Sequence, residues 1–178
     1  MQLIGDILDI SKIESGKLEF VYTGFRLNEI FETQQQAFSL RADEGVKVIF
    51  ENDGSDYSII SEKTRLTQVI TNFLSNAIKF TSAGAIRFGY KITETGLYAY
   101  VSDTGTGIER EDLPTVFDRF VKLDKFKQGT GLGLSICKTI INMLKGEIGV
   151  ESEVGKGTTF WFTIPCHPVP VPSSRSVE

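Results

Sequence analysis

From Glu62 to Phe80 the chain sets Leu66, Val69, Ile70, Phe73, Leu74, Ala77 and Ile78 on one side of a helical wheel. It then switches to two stretches, "AIRFGYKIT" and "LYAYVSD", in which apolar and polar residues alternate. A helical period followed at once by a period of two puts a half-buried helix beside half-buried strands. Neither layer can bury its apolar face alone, so the chain must lay helices on a sheet. A turn at Glu94–Gly96 joins the two strands as a hairpin. The rest of the chain fits the same plan. Helical spacing covers Gln2 to Lys17, with Leu3, Ile4, Ile7, Leu8 and Ile13 as its stripe and Gly16 as its stop. Further helices are expected from Leu27 to about Ala42, near Glu111–Phe117 and from Gly133 to about Leu144. Strands are expected over Val46–Asn52, Tyr57–Ser61, Glu147–Glu151 and Thr158–Ile164, the last two flanking the turn "SEVGKG". Elements alternate without a strict βαβ rhythm and several strand pairs look like hairpins. The predicted fold class is α/β: a two-layer α/β sandwich with a mixed, mostly antiparallel sheet, three main helices on one face, and an N-terminal helix remnant in front.

The length of 178 residues suits one well-filled domain with a short appendage. A formal charge of −4, with lysine and arginine scattered, supplies no basic field for a nucleic-acid backbone, so no nucleic-acid partner is expected. Cys137 and Cys166 are too few for a disulfide framework or a zinc site, and free thiols fit a reducing compartment. No apolar run approaches the roughly 18 residues needed to cross a bilayer, and "MQLIGDILDISK" has no basic leader. The expected location is cytoplasmic. The tail "PCHPVPVPSSRSVE", rich in proline and serine, is expected to be disordered.

The wet side of the helix ending at Phe80 is unusual. Arg65, Gln68, Asn72, Asn76 and Lys79 share an arc of roughly 80° on the wheel. An ordinary amphipathic surface helix explains such an arc, but surface faces favour Glu and Lys over asparagine, a mediocre helix former. An amide oxygen suits Mg²⁺, which completes its shell with water and phosphate, and Lys79 one turn on would stand beside those phosphates. A second signal is "VSDTGTGI", which holds Asp103 at a strand end before Gly105 and Gly107. It reads either as a tight turn with a solvated aspartate or as a backbone that admits a flat ligand. A third is "GTGLGLSI", with Gly129, Gly131 and Gly133 ahead of a helix. That is a glycine-rich helix entry or an anion site at the positive end of the helix dipole. No Gly-Lys-Ser/Thr follows and no strand precedes, so neither a P-loop nor a dinucleotide fingerprint is present.

Taken in this order and spacing, the three signals resemble the ATP-binding catalytic domain of sensor histidine kinases, a branch of the fold shared with gyrase-type ATPases. "NFLSNAIKF" looks like that family's N box, "DTGTGI" its first glycine box, "FDRF" its phenylalanine box and "GTGLGL" its second glycine box, while "GKGTTFWFTIP" looks like the closing strand. Upstream, "LIGDILDISKIESGKLEF" resembles the end of the dimerisation helix that precedes the domain. The expected organisation is a dimerisation-helix end over residues 1–20, a catalytic domain over 21–165 and a disordered tail over 166–178.

The resemblance implies ATP and Mg²⁺ as cofactors, with Asn76 as the metal ligand and Asn72 and Lys79 as the catalytic pair at the phosphates. Phe80 would line the ribose side, Asp103 would accept from the adenine amino group, and Gly105, Gly107, Ile108 and Thr158 would shape that end. Gly129, Thr130, Gly131, Leu132, Gly133 and Leu134 would close the phosphate end. Phe117 and Phe120 would position a lid whose Lys122, Lys125 and Lys127 reach the terminal phosphate. Hydrolytic relatives carry a glutamate where this chain has Asn72, and an amide is no general base, so phosphoryl transfer fits better than hydrolysis. The family's phosphoacceptor histidine has no counterpart here, because the one histidine, His167, lies beyond the last strand. The chain is therefore expected to be a monomeric fragment of a homodimeric parent. Its partners would be histidine-bearing dimerisation helices and a downstream receiver domain. A catalytically silent nucleotide-binding module and a serine kinase of the anti-sigma-factor type are the alternatives.

Overall fold

The computed structural model describes residues 2–124 and 127–172. In chain order the elements are α1 (Gln2–Glu14), β1 (Thr23–Arg26), α2 (Leu27–Ser39), β2 (Val46–Glu51), β3 (Tyr57–Ser61) and α3 (Lys63–Phe80). They are followed by β4 (Gly84–Thr93), β5 (Gly96–Asp103), a single 3₁₀ turn (Leu113–Thr115), α4 (Gly133–Met143), β6 (Glu147–Glu153), β7 (Gly157–Pro165) and β8 (Val169–Pro170). The main sheet has five strands in the order β2-β4-β5-β7-β6. Only the β2–β4 pair is parallel, so the sheet is mixed and mostly antiparallel as expected.

Alternation decides which face is dry. Ile86 and Phe88 on β4, Leu97, Ala99 and Val101 on β5, and Phe160, Phe162 and Ile164 on β7 all point to the helical layer. There α3 lies across the middle of the sheet, and the Phe73 ring stacks on Phe160 with centroids 5.3 Å apart. Packing of α2 is also aromatic, with Phe31 stacked on Phe88 and Phe50. The other sheet face carries Tyr98, Tyr100 and Trp161 as a stacked row.

A second, three-stranded sheet in the order β1-β3-β8 departs from the expectation. Four residues around Gly24 are too short to show a period, yet all four of β1 pair with Ser58, Ile59, Ile60 and Ser61 of β3. The expected disorder of everything past Pro165 also fails for the described residues. Val169 and Pro170 pair with Ser58 and Tyr57, because an edge strand tolerates proline where its missing N–H faces away from the partner. Residues 173–178 of that tail lie outside the described residues. The helix expected near Glu111–Phe117 shrinks to the 3₁₀ turn, where Pro114 stands among its first residues.

Docking of α1 is the least expected feature. Its apolar stripe, Leu3, Ile4, Ile7 and Leu8, remains exposed. What holds the helix is its acidic side, together with Ile10, which packs against the core. Asp9 receives Arg65 at 3.0 Å and Gln68 at 2.7 Å, and Asp6 is buried at 6% exposure. Two members of the polar arc on α3 are thus spent on α1, leaving Asn72, Asn76 and Lys79 to face elsewhere.

Candidate functional site

Two cavities open between α3, the β5–β7 end of the sheet and the segment before α4. One, of about 430 Å³, is lined by Asp103, Gly107, Ile108, Thr158 and Phe160. The other, of about 410 Å³, is lined by Asn72, Lys79, Gly129, Thr130, Gly131, Gly133 and Leu134. Asn76, Phe80 and Leu123 line both, so the cavities meet at the last turns of α3. Asn72, Asn76, Lys79, Phe80, Asp103, Gly107, Ile108, Thr158 and the Gly129–Gly131, Gly133 and Leu134 positions read from the sequence are thereby brought together along one continuous surface.

The sheet-side cavity is rigid in construction. Asp103 closes β5 opposite Thr158 on β7, and its carboxylate accepts the Gly105 N–H at 2.8 Å. Burial pushes this carboxyl above its usual range, while the amides of Gly105 and Thr158 pull it back. The buried Thr81 hydroxyl also acts on it, but without closing a well-formed hydrogen bond. Gly105 itself lines neither cavity. A Cβ there would stand 2.4 Å from the Phe80 carbonyl oxygen and 2.8 Å from Asp103 Oδ1, so the glycine lets β5 and the end of α3 meet. Gly107 has φ +74° and a Cβ would meet the Glu153 carbonyl oxygen at 2.3 Å. Ser152 joins this network, accepting the Ile108 N–H at 2.8 Å and sharing a hydrogen bond with Thr158. The sequence offered no signal for Ser152 or Thr81, since each is a lone small polar residue whose importance depends on its neighbours across the sheet.

The helix-side cavity is built from α3 and loops. Asn72 is buried at 6% exposure and donates through Nδ2 to the Cys137 sulfur at 3.4 Å and to the Gly133 carbonyl at 3.5 Å. That ties α3 to the entry of α4. Burial pushes the Cys137 thiol up to about 12, so it is inert. Lys79 has its ammonium pKa lowered by burial; Asp124 opposes this, and Lys122 and Lys127 add to it. Lys127 donates to the Lys79 carbonyl and stands over the Phe80 ring, 5.1 Å from its centroid. Lys122 lines the cavity, and Lys125 lies outside the described residues. A Cβ on Gly129 would come within 2.7 Å of Lys79 Nζ. Lys79, Lys122 and the glycine-rich entry of α4 therefore line a space that suits an anion.

Besides Gly105, two residues expected in the site are placed otherwise. Leu132 is 3% exposed and belongs to the core, so only its N–H, bonded to the Thr130 hydroxyl at 3.1 Å, reaches the loop. Phe120 is 73% exposed and lines neither cavity. Its left-handed backbone (φ 61°) instead clamps the base of the loop, with its N–H donated to the Gly131 carbonyl at 2.8 Å. A β-branched or bulky side chain in that region is costly, which marks the position as one held by its surroundings. Phe117 packs edge-on against Phe160 below the loop. Asp6, which the sequence reading did not single out, lines the helix-side cavity.

Among the described residues no group of three or more His, Cys, Asp or Glu is placed to hold a metal ion. An amide oxygen, completed by water and by oxygens of a ligand, is a donor set that suits Mg²⁺. Asn76, at the junction of the cavities, fits that role.

Residues 61–168 match the model of the histidine kinase-, DNA gyrase B- and HSP90-like ATPase family. The chain belongs to this family. It is 36% identical over 177 residues to the autoinducer 2 sensor kinase/phosphatase LuxQ of Vibrio vulnificus strain YJ016, covering 93% of this chain and 21% of the relative. It is 37% identical over 185 residues to the sensor histidine kinase RcsC of Salmonella typhimurium, covering 100% of this chain and 19% of the relative. The chain thus spans about a fifth of the length of these curated relatives. Full-length ShkA, solved in complex with AMPPNP, superposes with a TM-score of 0.87 at 28% identity, covering 97% of this chain and 37% of that one. The catalytic domain of histidine kinase ThkA superposes at 0.73 with 32% identity, covering 82% of this chain and 96% of that one. The domain is of the histidine-kinase type, in agreement with the resemblance read from its boxes. No helix among the described residues is long and apolar enough to cross a membrane.

Proposed function

We propose that this ATPase-family domain binds ATP with Mg²⁺ along the joined cavities and transfers the terminal phosphoryl group to a histidine on a dimerisation helix of another segment or chain. The observation that carries the proposal is the polarity of the groove. A buried hydrogen-bond acceptor, Asp103, sits at one end, Lys79, Lys122 and the glycine-rich turn before α4 line the other, and Asn76 stands between them. Such an order matches a base, a metal-bridged phosphate chain and a terminal phosphate. The AMPPNP in the ShkA complex supports the same reading.

The residues present act by holding and neutralising. Asp103 accepts from an exocyclic amino group, and the Gly107 backbone lets a flat ring approach. Lys79 and Lys127 offset phosphate charge. Mg²⁺, when bound at Asn76, would add charge neutralisation at the phosphates. Asn72 cannot take a proton from water, and its amide is already engaged with α4. The position at which hydrolytic relatives carry a glutamate thus offers no base here, and the contribution of the domain is to present the terminal phosphorus to an external nitrogen nucleophile. Transfer breaks the bond from phosphorus to its bridging oxygen and makes a phosphorus–nitrogen bond. In the full-length protein a receiver domain would take the group onward.

The test is calorimetric titration of AMPPNP with and without Mg²⁺, followed by incubation with ATP and a histidine-bearing dimerisation hairpin. Saturable binding strengthened by Mg²⁺ and acid-labile phosphate on the hairpin are expected. Absence of binding at millimolar ligand would overturn the ATP reading. Binding without transfer would leave a silent nucleotide module.

A further inference from the structure

Helix α1 reaches into the phosphate end of the groove. Leu3 and Asp6 both line the helix-side cavity, alongside Asn76, Lys79 and the Gly129–Gly131 turn. The Thr130 hydroxyl donates to Asp6 Oδ2 at 2.9 Å and accepts the Leu132 N–H at 3.1 Å. That one hydroxyl therefore joins a carboxylate of α1 to the turn that leads into α4. Two further contacts hold α1 down: Asp9 on Arg65 and Gln68, and Glu14 on Arg119, which lies close to the base of the loop at Phe120. All three of these polar anchors on α1 are acidic. One of them sits where an anionic ligand has to enter.

We infer that Asp6 is a positioning residue that couples the docking of α1 to the occupancy of the phosphate end: α1 is held down through Thr130 while no triphosphate is bound, and a triphosphate expels the Asp6 carboxylate and frees the helix. This rests on the ATP reading above. Two like charges in one partly desolvated cavity repel, and a hydroxyl whose proton is given to Asp6 is not free for phosphate. Coupling of this kind is reciprocal, so whatever loosens α1 must tighten the triphosphate, and the reverse. A diphosphate leaves the terminal position empty and interferes less. The burial that raises the Asp6 pKa, countered by Thr130 and reinforced by Asp9, is consistent with a carboxylate held at some cost. The helix carries an exposed apolar stripe of Leu3, Ile4, Ile7 and Leu8, so freeing it also frees that stripe to move.

The test uses the full chain as wild type, Asp6→Asn and Asp9→Asn. Affinities for Mg-AMPPNP and Mg-ADP are measured by calorimetry, and deuterium uptake of α1 is followed with and without each nucleotide. In the wild type, AMPPNP should raise uptake in α1 and ADP should not. Asp6→Asn should tighten AMPPNP about tenfold and ADP about twofold, changing their ratio. Asp9 lines neither cavity, so Asp9→Asn should raise α1 uptake and tighten AMPPNP by a smaller factor through loosened docking alone. An unchanged AMPPNP-to-ADP ratio in Asp6→Asn, or α1 uptake indifferent to AMPPNP, overturns the coupling and leaves the ATP site standing. Absence of binding by all three proteins overturns the ATP site and the coupling with it.

Discussion

The two ends of the groove are made of different material. The sheet-side end hangs on β5 and β7, whose pairing sets Asp103 opposite Thr158, and its glycines are packed against backbone that cannot move. The helix-side end hangs on the last turns of α3 and on a loop, with lysines, one threonine and a visiting helix as its walls. Folding builds the first end outright, because the same hydrogen bonds that complete the sheet also place the acceptor. The second end is completed only by whatever fills it. A site of this design fixes recognition of the base in the scaffold and leaves the phosphate end free to report on its ligand.

The sharpest way to break that contrast is to damage the rigid end. Gly105→Ala should lower stability by about 3 kcal/mol, since its Cβ has only backbone and the Asp103 carboxylate to push against. Nucleotide binding should vanish with it. Thermal unfolding checks the first effect and titration the second. Gly129→Ala is the matched change at the other end, where the Cβ meets only the tip of Lys79. It should cost less than about 1 kcal/mol. Similar losses from both would show that the two ends do not differ in rigidity.

Asp103→Asn comes next. Replacing a charged acceptor by an amide should weaken AMPPNP roughly 10- to 100-fold without unfolding the domain. Acid should act in the same direction. The folded carboxyl titrates above the usual 3.8, so the folded state holds this proton more tightly than the unfolded chain does. Ionised Asp103 therefore costs stability at neutral pH, and that cost fades as pH falls through its raised value. Binding has the opposite sign, since the protonated carboxyl is a poorer acceptor. Affinity should decline on acidification in the wild type and stay flatter in Asp103→Asn. Parallel pH profiles for the two proteins would remove Asp103 from base recognition.

At the junction of the ends, Asn76→Ala should leave binding without Mg²⁺ nearly unchanged and remove most of the strengthening that Mg²⁺ gives, about tenfold. Titration with and without the metal separates the two. Mg²⁺ dependence that survives the substitution would move the metal ligand elsewhere.

The difference between the ends also explains what could be read from the sequence. Asp103, Gly105 and Gly107 stand next to each other in the chain, and Asn72, Asn76 and Lys79 recur at helical spacing, so a local pattern carried them. The α/β sandwich was equally legible from the periods of α3, β4 and β5. What escaped depends on distant partners. Arg65 and Gln68 look like the same stripe as Asn76, and only the packing of α1 shows that they belong to Asp9. Asp6 sits among apolar residues that advertise a buried stripe, whereas the helix buries the acid and exposes the stripe. Leu132 shares its box with residues that line the groove, but α4 turns it into the core. Strand β8 was hidden by prolines, which argue against a strand until an edge is known to be available.

The smallest expected effect lies with Thr81. Its hydroxyl is buried at the end of α3, beside Asp103, without a hydrogen-bond partner among the described residues. An unsatisfied hydroxyl costs free energy, and Thr81→Val removes it while keeping the shape of the side chain. If the hydroxyl serves only the fold, the substitution should raise stability by up to about 1 kcal/mol and leave AMPPNP affinity unchanged. If the rigid end uses it to complete base recognition, directly or through a water, affinity should fall a few-fold while stability still rises. Measuring both on one protein distinguishes the cases, because a purely structural role moves only the unfolding curve. A gain in stability joined to a loss in affinity would mean that even the scaffold-built end keeps one group unsatisfied for its ligand.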